Sequence, residues 1–291
     1  MLNIYDQEEG LTLDRIYEEL VFPECPRWRD GALWFSDCHD GRVVAIAPDG
    51  RLLDSFGVPG GPSGLGWLPS GEALVVSIAD LCVYRRQSDG SLIRHADLSS
   101  HHRFHANDMV VDDRGNGYVG EVGFRGGLEA PKSTVLLLVR PDGAVSVAAD
   151  DMLTPNGSVI TADGGTLIVA ESLRHRLMSF TIAADGTLHD RRLFAELDAE
   201  AIPDGICLDE AGCIWVASPR ARAVLRVSPK DGVVDRIDTG ATRPYACMLG
   251  GADRRDLFVC LADTHDAAVA RKARSGAIAF RTVDVAGCGR P

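Results

Sequence analysis

The sequence predicts an all-β chain folded as a six-bladed β-propeller with four-stranded blades, and three observations carry that prediction. Short apolar runs of strand character dominate, among them ALWFSD, ALVVSI, DMVVDD, GYVGEV, TLIVAE, CIWVAS and LFVCLA. Turn dipeptides punctuate them at Asp49-Gly50, Asp89-Gly90, Asp142-Gly143, Asp163-Gly164, Asp185-Gly186 and Asp231-Gly232. One template also keeps returning: a polar residue, an apolar strand, an Asp/Gly turn, then a second strand. Counted from Glu24, Ser63, Asn107, Asn156, Asp204 and Tyr245, its steps are 39, 44, 49, 48 and 41 residues, about 44 on average. That is the length of one four-stranded propeller blade.

The repeats can be read in order. PECPRWRDGALWFSD, PSGLGWLPSGEALVVS, ANDMVVDDRGNGYVGE, PNGSVITADGGTLIVAE and PDGICLDEAGCIWVAS align closely, and RPYACMLGGADRRDLFVCLAD aligns more loosely. The N-terminal LTLDRIYEEL is ambiguous between helix and strand. If extended, it can share a blade with the C-terminal AIAFRTVDV and close the ring, leaving no sheet edge unpaired. Six units nearly fill the 291 residues and no linker divides them, so one domain over 1–291 is expected. A β-sandwich is the alternative, but it does not require the period.

Composition narrows the function. With 45% hydrophobic residues the chain can bury a large core. A formal net charge of -12 disfavours nucleic acid and anionic membrane surfaces as partners, since both need a basic face. No apolar stretch reaches the ~18 residues of a membrane helix. The start, MLNIYDQEEG, lacks a basic region followed by an apolar one, so a cytoplasmic protein is expected. The eight cysteines include no CxxC and lie mostly in apolar runs, as buried free thiols do. Oligomeric state is left open.

Glu24, Asn107, Asn156 and Asp204 share one phase of the repeat, at the head of a blade's first strand. In a propeller those strands line the central channel, so the four side chains should converge at one mouth. Two carboxylates and two amide carbonyls form a hard oxygen set. It suits one divalent metal ion, Ca²⁺ best, with Mg²⁺, Mn²⁺ and Zn²⁺ as alternatives. Asn156-Gly157 and Asp204-Gly205 also fit plain turns, and Glu24 fits a solvated surface charge. The shared phase favours the channel, because a turn former need not recur at one point of four blades.

These segments resemble the regucalcin/gluconolactonase-like family, which includes senescence marker protein and the luciferin-regenerating enzymes. The resemblance rests on PECPRW (23–28), HANDMVVDDRGNGYVGE (105–121), TPNGSVIT (154–161), IPDGICLDEAGCIWVA (202–217) and RPYACMLGG (243–251) and spans nearly the whole chain. It implies a six-bladed propeller with one catalytic divalent metal and a small-molecule lactone or ester substrate. By position it implies Glu24, Asn156 and Asp204 as metal ligands, Asp204 also as general base, and Asn107 as a contact to substrate or metal-bound water. The sequence departs from the sugar lactonases nearby. His105 stands where they have Arg, with Arg103 the nearest alternative, and their acidic sugar-binding residue falls near Arg125, with Glu121 close by. Substrate contacts are therefore expected from Asn107, His105, Glu121 and Arg103, but not a gluconolactone preference.

Other candidates carry less. His101 and His102 read as solvated loop residues, and His39 and His265 as turn residues after strands. Cys25 and Cys247 are expected near the site, but no base is placed to activate a thiol nucleophile. Trp28, Phe104, Phe124 and Tyr245 fit either a pocket wall or blade packing. The loop from Gly123 to Lys132 interrupts blade three and is expected to help select substrate. The reading is a metal-dependent lactone hydrolase. The alternatives are the same metal site acting on another substrate, such as a phosphotriester, or a calcium-binding interaction propeller with no activity.

Overall fold

Six antiparallel sheets form a ring in the computed structural model, which describes residues 13–124 and 129–288. The inner strands are Pro23–Arg29, Pro62–Trp67, Ala106–Val111, Pro155–Ile160, Ile206–Asp209 and Arg243–Gly250. Each packs against the inner strands of its two neighbours. The ambiguous N-terminal segment is a strand, Asp14–Leu20, running antiparallel to Gly276–Thr282 at the outer edge of blade six. The last blade thus takes strands from both ends of the chain. Blade five gains a two-residue strand, Gly287–Cys288, paired to Leu208 and Asp209. Leu11 and Thr12 of the N-terminal segment, and residues 125–128 of the blade-three loop with Arg125, lie outside the described residues.

Two kinds of glycine explain the repeat. The glycines of the six Asp-Gly turns all have left-handed backbone, with φ from 71° to 88°, which L residues with a Cβ rarely adopt. Gly157 and Gly205 do not, so Asn156-Gly157 and Asp204-Gly205 are not turns of this kind. A Cβ on Gly157 would lie 2.5 Å from Asp204 O, and one on Gly205 would lie 2.4 Å from Ala246 Cβ. These glycines let inner strands of adjacent blades approach closely. At or directly after the head residue, the ladder to the second strand shifts register in blades one, two, three, four and six. Such a bulge re-aims the side chain beside it.

The core lies between blades. Phe35, Trp215 and Phe258 are fully buried there, and Trp28 stacks on Phe258 across the junction of blades one and six, with ring centroids 5.5 Å apart. Trp28 therefore serves blade packing. All eight cysteines are free thiols, seven of them buried.

Gly205→Ala should destabilise the protein by about 1–3 kcal/mol in urea unfolding, the usual cost of overpacking a tight core. Gly165→Ala should stay within about 0.5 kcal/mol, because its new Cβ would meet nothing closer than 3.4 Å.

Candidate metal and substrate site

The four head residues come from blades one, three, four and five, and short contacts run between neighbouring inner strands. Asn107 Nδ2 donates to Pro155 O at 3.4 Å. Asn156 Nδ2 donates to Ser172 Oγ at 3.3 Å, and that hydroxyl donates to Pro203 O at 2.7 Å. Gly205 N–H donates to Tyr245 O at 2.9 Å. Tyr245 meets Phe22 edge-on at 4.7 Å, two residues before Glu24. Glu24, Asn107, Asn156 and Asp204 are each partly exposed, while the residue after each is buried. That pattern fits side chains lining an opening.

The electrostatics are those of crowded anions. Burial pushes the Glu24 carboxyl well above its usual range, and the Asp204 and Asp108 carboxylates push it further. Burial likewise raises Asp204, to about 8, with Asp108 adding to the effect and a hydrogen bond from Asn156 opposing it. Asp204 Oδ1 is buried without a hydrogen-bond partner among the described residues. A buried, unpaired carboxylate oxygen costs free energy unless a proton or cation meets it. The donor set fits a hard divalent cation: carboxylates from Glu24 and Asp204, and amide oxygens from Asn156 and Asn107, whose amide nitrogens are the atoms engaged by protein acceptors. Among the described residues no three His, Cys, Asp or Glu side chains gather as a metal cluster, so the amides must complete such a site.

Beneath this ring lies a pair that sequence reasoning missed. Arg27 is 3% exposed, and its Nη2 donates to Asp108 Oδ1 at 2.7 Å. The same guanidinium donates to Leu65 O at 3.1 Å, Pro26 O at 2.8 Å and Met109 O, which ties the inner strands of blades one, two and three together. Tyr245 was expected as a pocket wall or as blade packing. Its hydroxyl is buried with no hydrogen-bond partner among the described residues, and burial and the Asp204 charge hold its pKa above the usual tyrosine value.

The expected substrate contacts divide. Asn107 and His105 line a cavity of about 510 Å³, with His39, Asp40, Val122 and Arg271 among its other walls; Glu24, Asn156 and Asp204 do not line it, so Asn107 is the head that joins the ring to this cavity. His105 stacks on Phe104, ring centroids 3.9 Å apart. Arg103 is exposed and Glu121 is 2% exposed, and neither lines that cavity. Glu121 accepts the backbone N–H groups of Arg103 and Phe104 and the Thr134 hydroxyl. Asp37 and Glu171, at the same point of blades one and four, hold backbone amides in the same way, at Val21, Phe22 and Leu153. The ends of the second strands, FSD, VGE and VAE, carry that signal in the sequence. The structure therefore shows Glu121 capping a loop, a role that the expected substrate contact did not include. His102 is 1% exposed, not solvated as expected. His39 is a cavity wall as well as a turn residue, stacked on Phe22 at 4.7 Å. Cys25 Sγ lies 3.6 Å from Ser63 Oγ, and burial pushes its thiol pKa far up, so it is no nucleophile.

Two outcomes follow from this geometry. In protein stripped of metal, Glu24 and Asp204 keep their protons to higher pH when folded than when unfolded. Their contribution to stability is full below about pH 4, the ordinary carboxylate value. It is lost as pH rises toward about 8, the folded value of Asp204. The melting temperature of metal-free protein should therefore fall between pH 5 and 8, and Ca²⁺ should raise it more at pH 8 than at pH 5; no rise with Ca²⁺ or another divalent ion at pH 8 would reject the carboxylate ring as a metal site. Arg27→Met should cost about 3–5 kcal/mol in urea unfolding, because it strands Asp108 as a buried charge.

The family model described as SMP-30/Gluconolactonase/LRE-like region matches residues 22–263. The 6-deoxy-6-sulfogluconolactonase of Pseudomonas putida is 27% identical over 284 residues, covering 93% of this chain and 94% of that protein. A luciferin-regenerating enzyme structure superposes with a TM-score of 0.82 at 18% identity, covering 97% of this chain and 98% of the other. Regucalcin from Agrobacterium tumefaciens, described as a calcium-binding protein, superposes at 0.80 with 21% identity, covering 97% of each chain. The chain belongs to the SMP-30/gluconolactonase/LRE-like family.

Proposed function

We propose that this protein is a hydrolase that opens a lactone or related cyclic ester, using one divalent metal ion at the mouth of the propeller channel. The observation that carries the reading is Asp204 Oδ1, a buried carboxylate oxygen with no hydrogen-bond partner among the described residues. It stands beside a second carboxylate and at the head of the ring that reaches the Asn107 cavity. Family membership supports lactone hydrolysis as the reaction class, and the P. putida relative is named for a lactone. The A. tumefaciens relative is described as binding calcium, which supports a divalent ion.

Glu24, Asn156 and Asp204 would hold the metal. When bound, it would offset the two crowded carboxylates, polarise the substrate carbonyl and lower the pKa of an attacking water. The rest is done by the chain. Asn156 is fixed through Ser172, so its amide oxygen faces the site without rotamer freedom to lose. Asn107, anchored on Pro155 O, stands on the border between ring and cavity and orients the lactone carbonyl or the water. Asp204 Oδ1 takes the proton of the attacking water and later returns it to the ring oxygen that leaves. The buried Tyr245 hydroxyl is a further donor beside that carboxylate.

A panel of aldonolactones and simple γ- and δ-lactones tests this with Ca²⁺, Zn²⁺, Mn²⁺ and Mg²⁺ supplied in turn. Chelation should abolish turnover, and one of these ions should restore it. Asp204→Asn should lower kcat by about 10²–10⁴-fold, the range of a lost general base. Turnover by Asp204→Asn at the wild-type rate sinks the base assignment, and turnover that survives chelation sinks the metal.

A further inference from the structure

The cavity beside Asn107 has a far wall that no step above uses. The short helix α1 (Ala267–Ala273), inserted between the second and third strands of blade six, lies against the blade-one loop and supplies Ala267 and Arg271 to the lining. Arg271 Nε donates to His39 O at 3.0 Å, which fixes the guanidinium at the rim. Its Nη1 and Nη2 have no hydrogen-bond or ion-pair partner among the described residues. Among the described residues lining the cavity, Arg271 is the one Lys or Arg.

The nearby carboxylate does not neutralise it. Asp40 also lines the cavity, but its oxygens are taken by Arg274, at 3.2 Å each, and by Arg42 at 2.9 Å. Burial holds the His39 pKa below the usual histidine value, which disfavours a second cation on that wall. The cavity thus pairs an amide at one end with an unmatched, tethered guanidinium on α1. The whole chain carries -12, which repels anions. Beyond about 8 Å that repulsion is screened at physiological salt, so within the cavity the local cation decides. A planar guanidinium with two free N–H₂ groups matches an oxyanion in bidentate fashion.

We propose that the site accepts a substrate bearing an anionic group, a carboxylate, sulfonate or phosphate, at the end remote from its reacting carbonyl, and that Arg271 is the specificity-determining residue that receives it. This rests on the lactonase reading for the reacting end, but the anion subsite can be measured without turnover.

Two unreactive probes separate the ideas: methyl glucoside, which is neutral, and its C6-sulfonate analogue. Calorimetric titration of metal-loaded protein should show tighter binding of the sulfonate, weakened by salt. Arg271→Gln should weaken sulfonate binding about tenfold, as loss of a charge-assisted bidentate contact does. It should leave the neutral probe within about twofold, and Arg271→Lys should fall between. Equal binding of both probes by the wild type, or equal loss of both in Arg271→Gln, overturns the proposal. In parallel, neutral and anionic lactones are assayed for turnover. Lactones opened with no charge preference remove the anion subsite and leave the lactonase reading standing. Charge-selective probe binding with no lactone opened does the reverse.

Discussion

Six inner strands must share one narrow axis, and most of what is distinctive here follows from that constraint. Close approach leaves no room for a side chain directly after several of the heads, so glycine stands at 64, 157 and 205, where a Cβ would fall within 2.6 Å of the next blade. The same approach forces the polar heads into one small ring. Glu24 and Asp204 come from blades that are far apart in sequence, yet each carboxylate raises the cost of ionising its surroundings. Packing made the ring tight, and tightness made it anionic.

An anionic ring in a buried channel would be a liability without an offset, since like charges in a poor dielectric repel strongly. Part of the offset is permanent. Arg27 sits beneath the ring, pairs with Asp108 and pins three inner strands through their carbonyls. Its charge also pulls the Glu24 pKa down against burial and its acidic neighbours. The rest is left unpaid in the protein alone, as the orphaned Asp204 Oδ1 records. With Arg27 paired to Asp108, the Glu24 and Asp204 carboxyls lack a cationic partner of their own, so the site is poised for a cation or for a proton, and those are the two things a metal-assisted base has to handle.

The sequence made the blades legible because their period survives in the residue types. The heads were legible for the same reason, although Asn156-Gly157 and Asp204-Gly205 resembled turns until the close approach of neighbouring strands showed otherwise. Glu121 was taken for a substrate contact because it lies near the position of the family's acidic sugar-binding residue, and its hold on backbone amides went unseen. Its phase matched Asp37 and Glu171, and phase was the better guide. Arg27 escaped notice because its partners, Leu65 and Asp108, belong to other blades, and no local pattern encodes such a contact. Arg271 was invisible for a related reason. It lies on an insertion outside the repeat, brought to the mouth by contacts of α1 with a loop more than 200 residues away, as the 232-residue separation of Arg271 and His39 shows.

These two classes of residue divide the work of the mouth. Ring residues come from inner strands whose positions are fixed by packing on both sides, so their geometry is costly to alter. Cavity residues His39, His105 and Arg271 come from connections between strands, where length and composition can change without disturbing the ring. Asn107 belongs to both, being an inner-strand head that also lines the cavity. A propeller built this way can keep one chemistry at its axis while the loops choose the substrate. The departure at His105 falls on that adjustable side, and it leaves Glu24, Asn156 and Asp204 in phase. Specificity for a new ring substituent therefore requires no change to the residues proposed to open the ring.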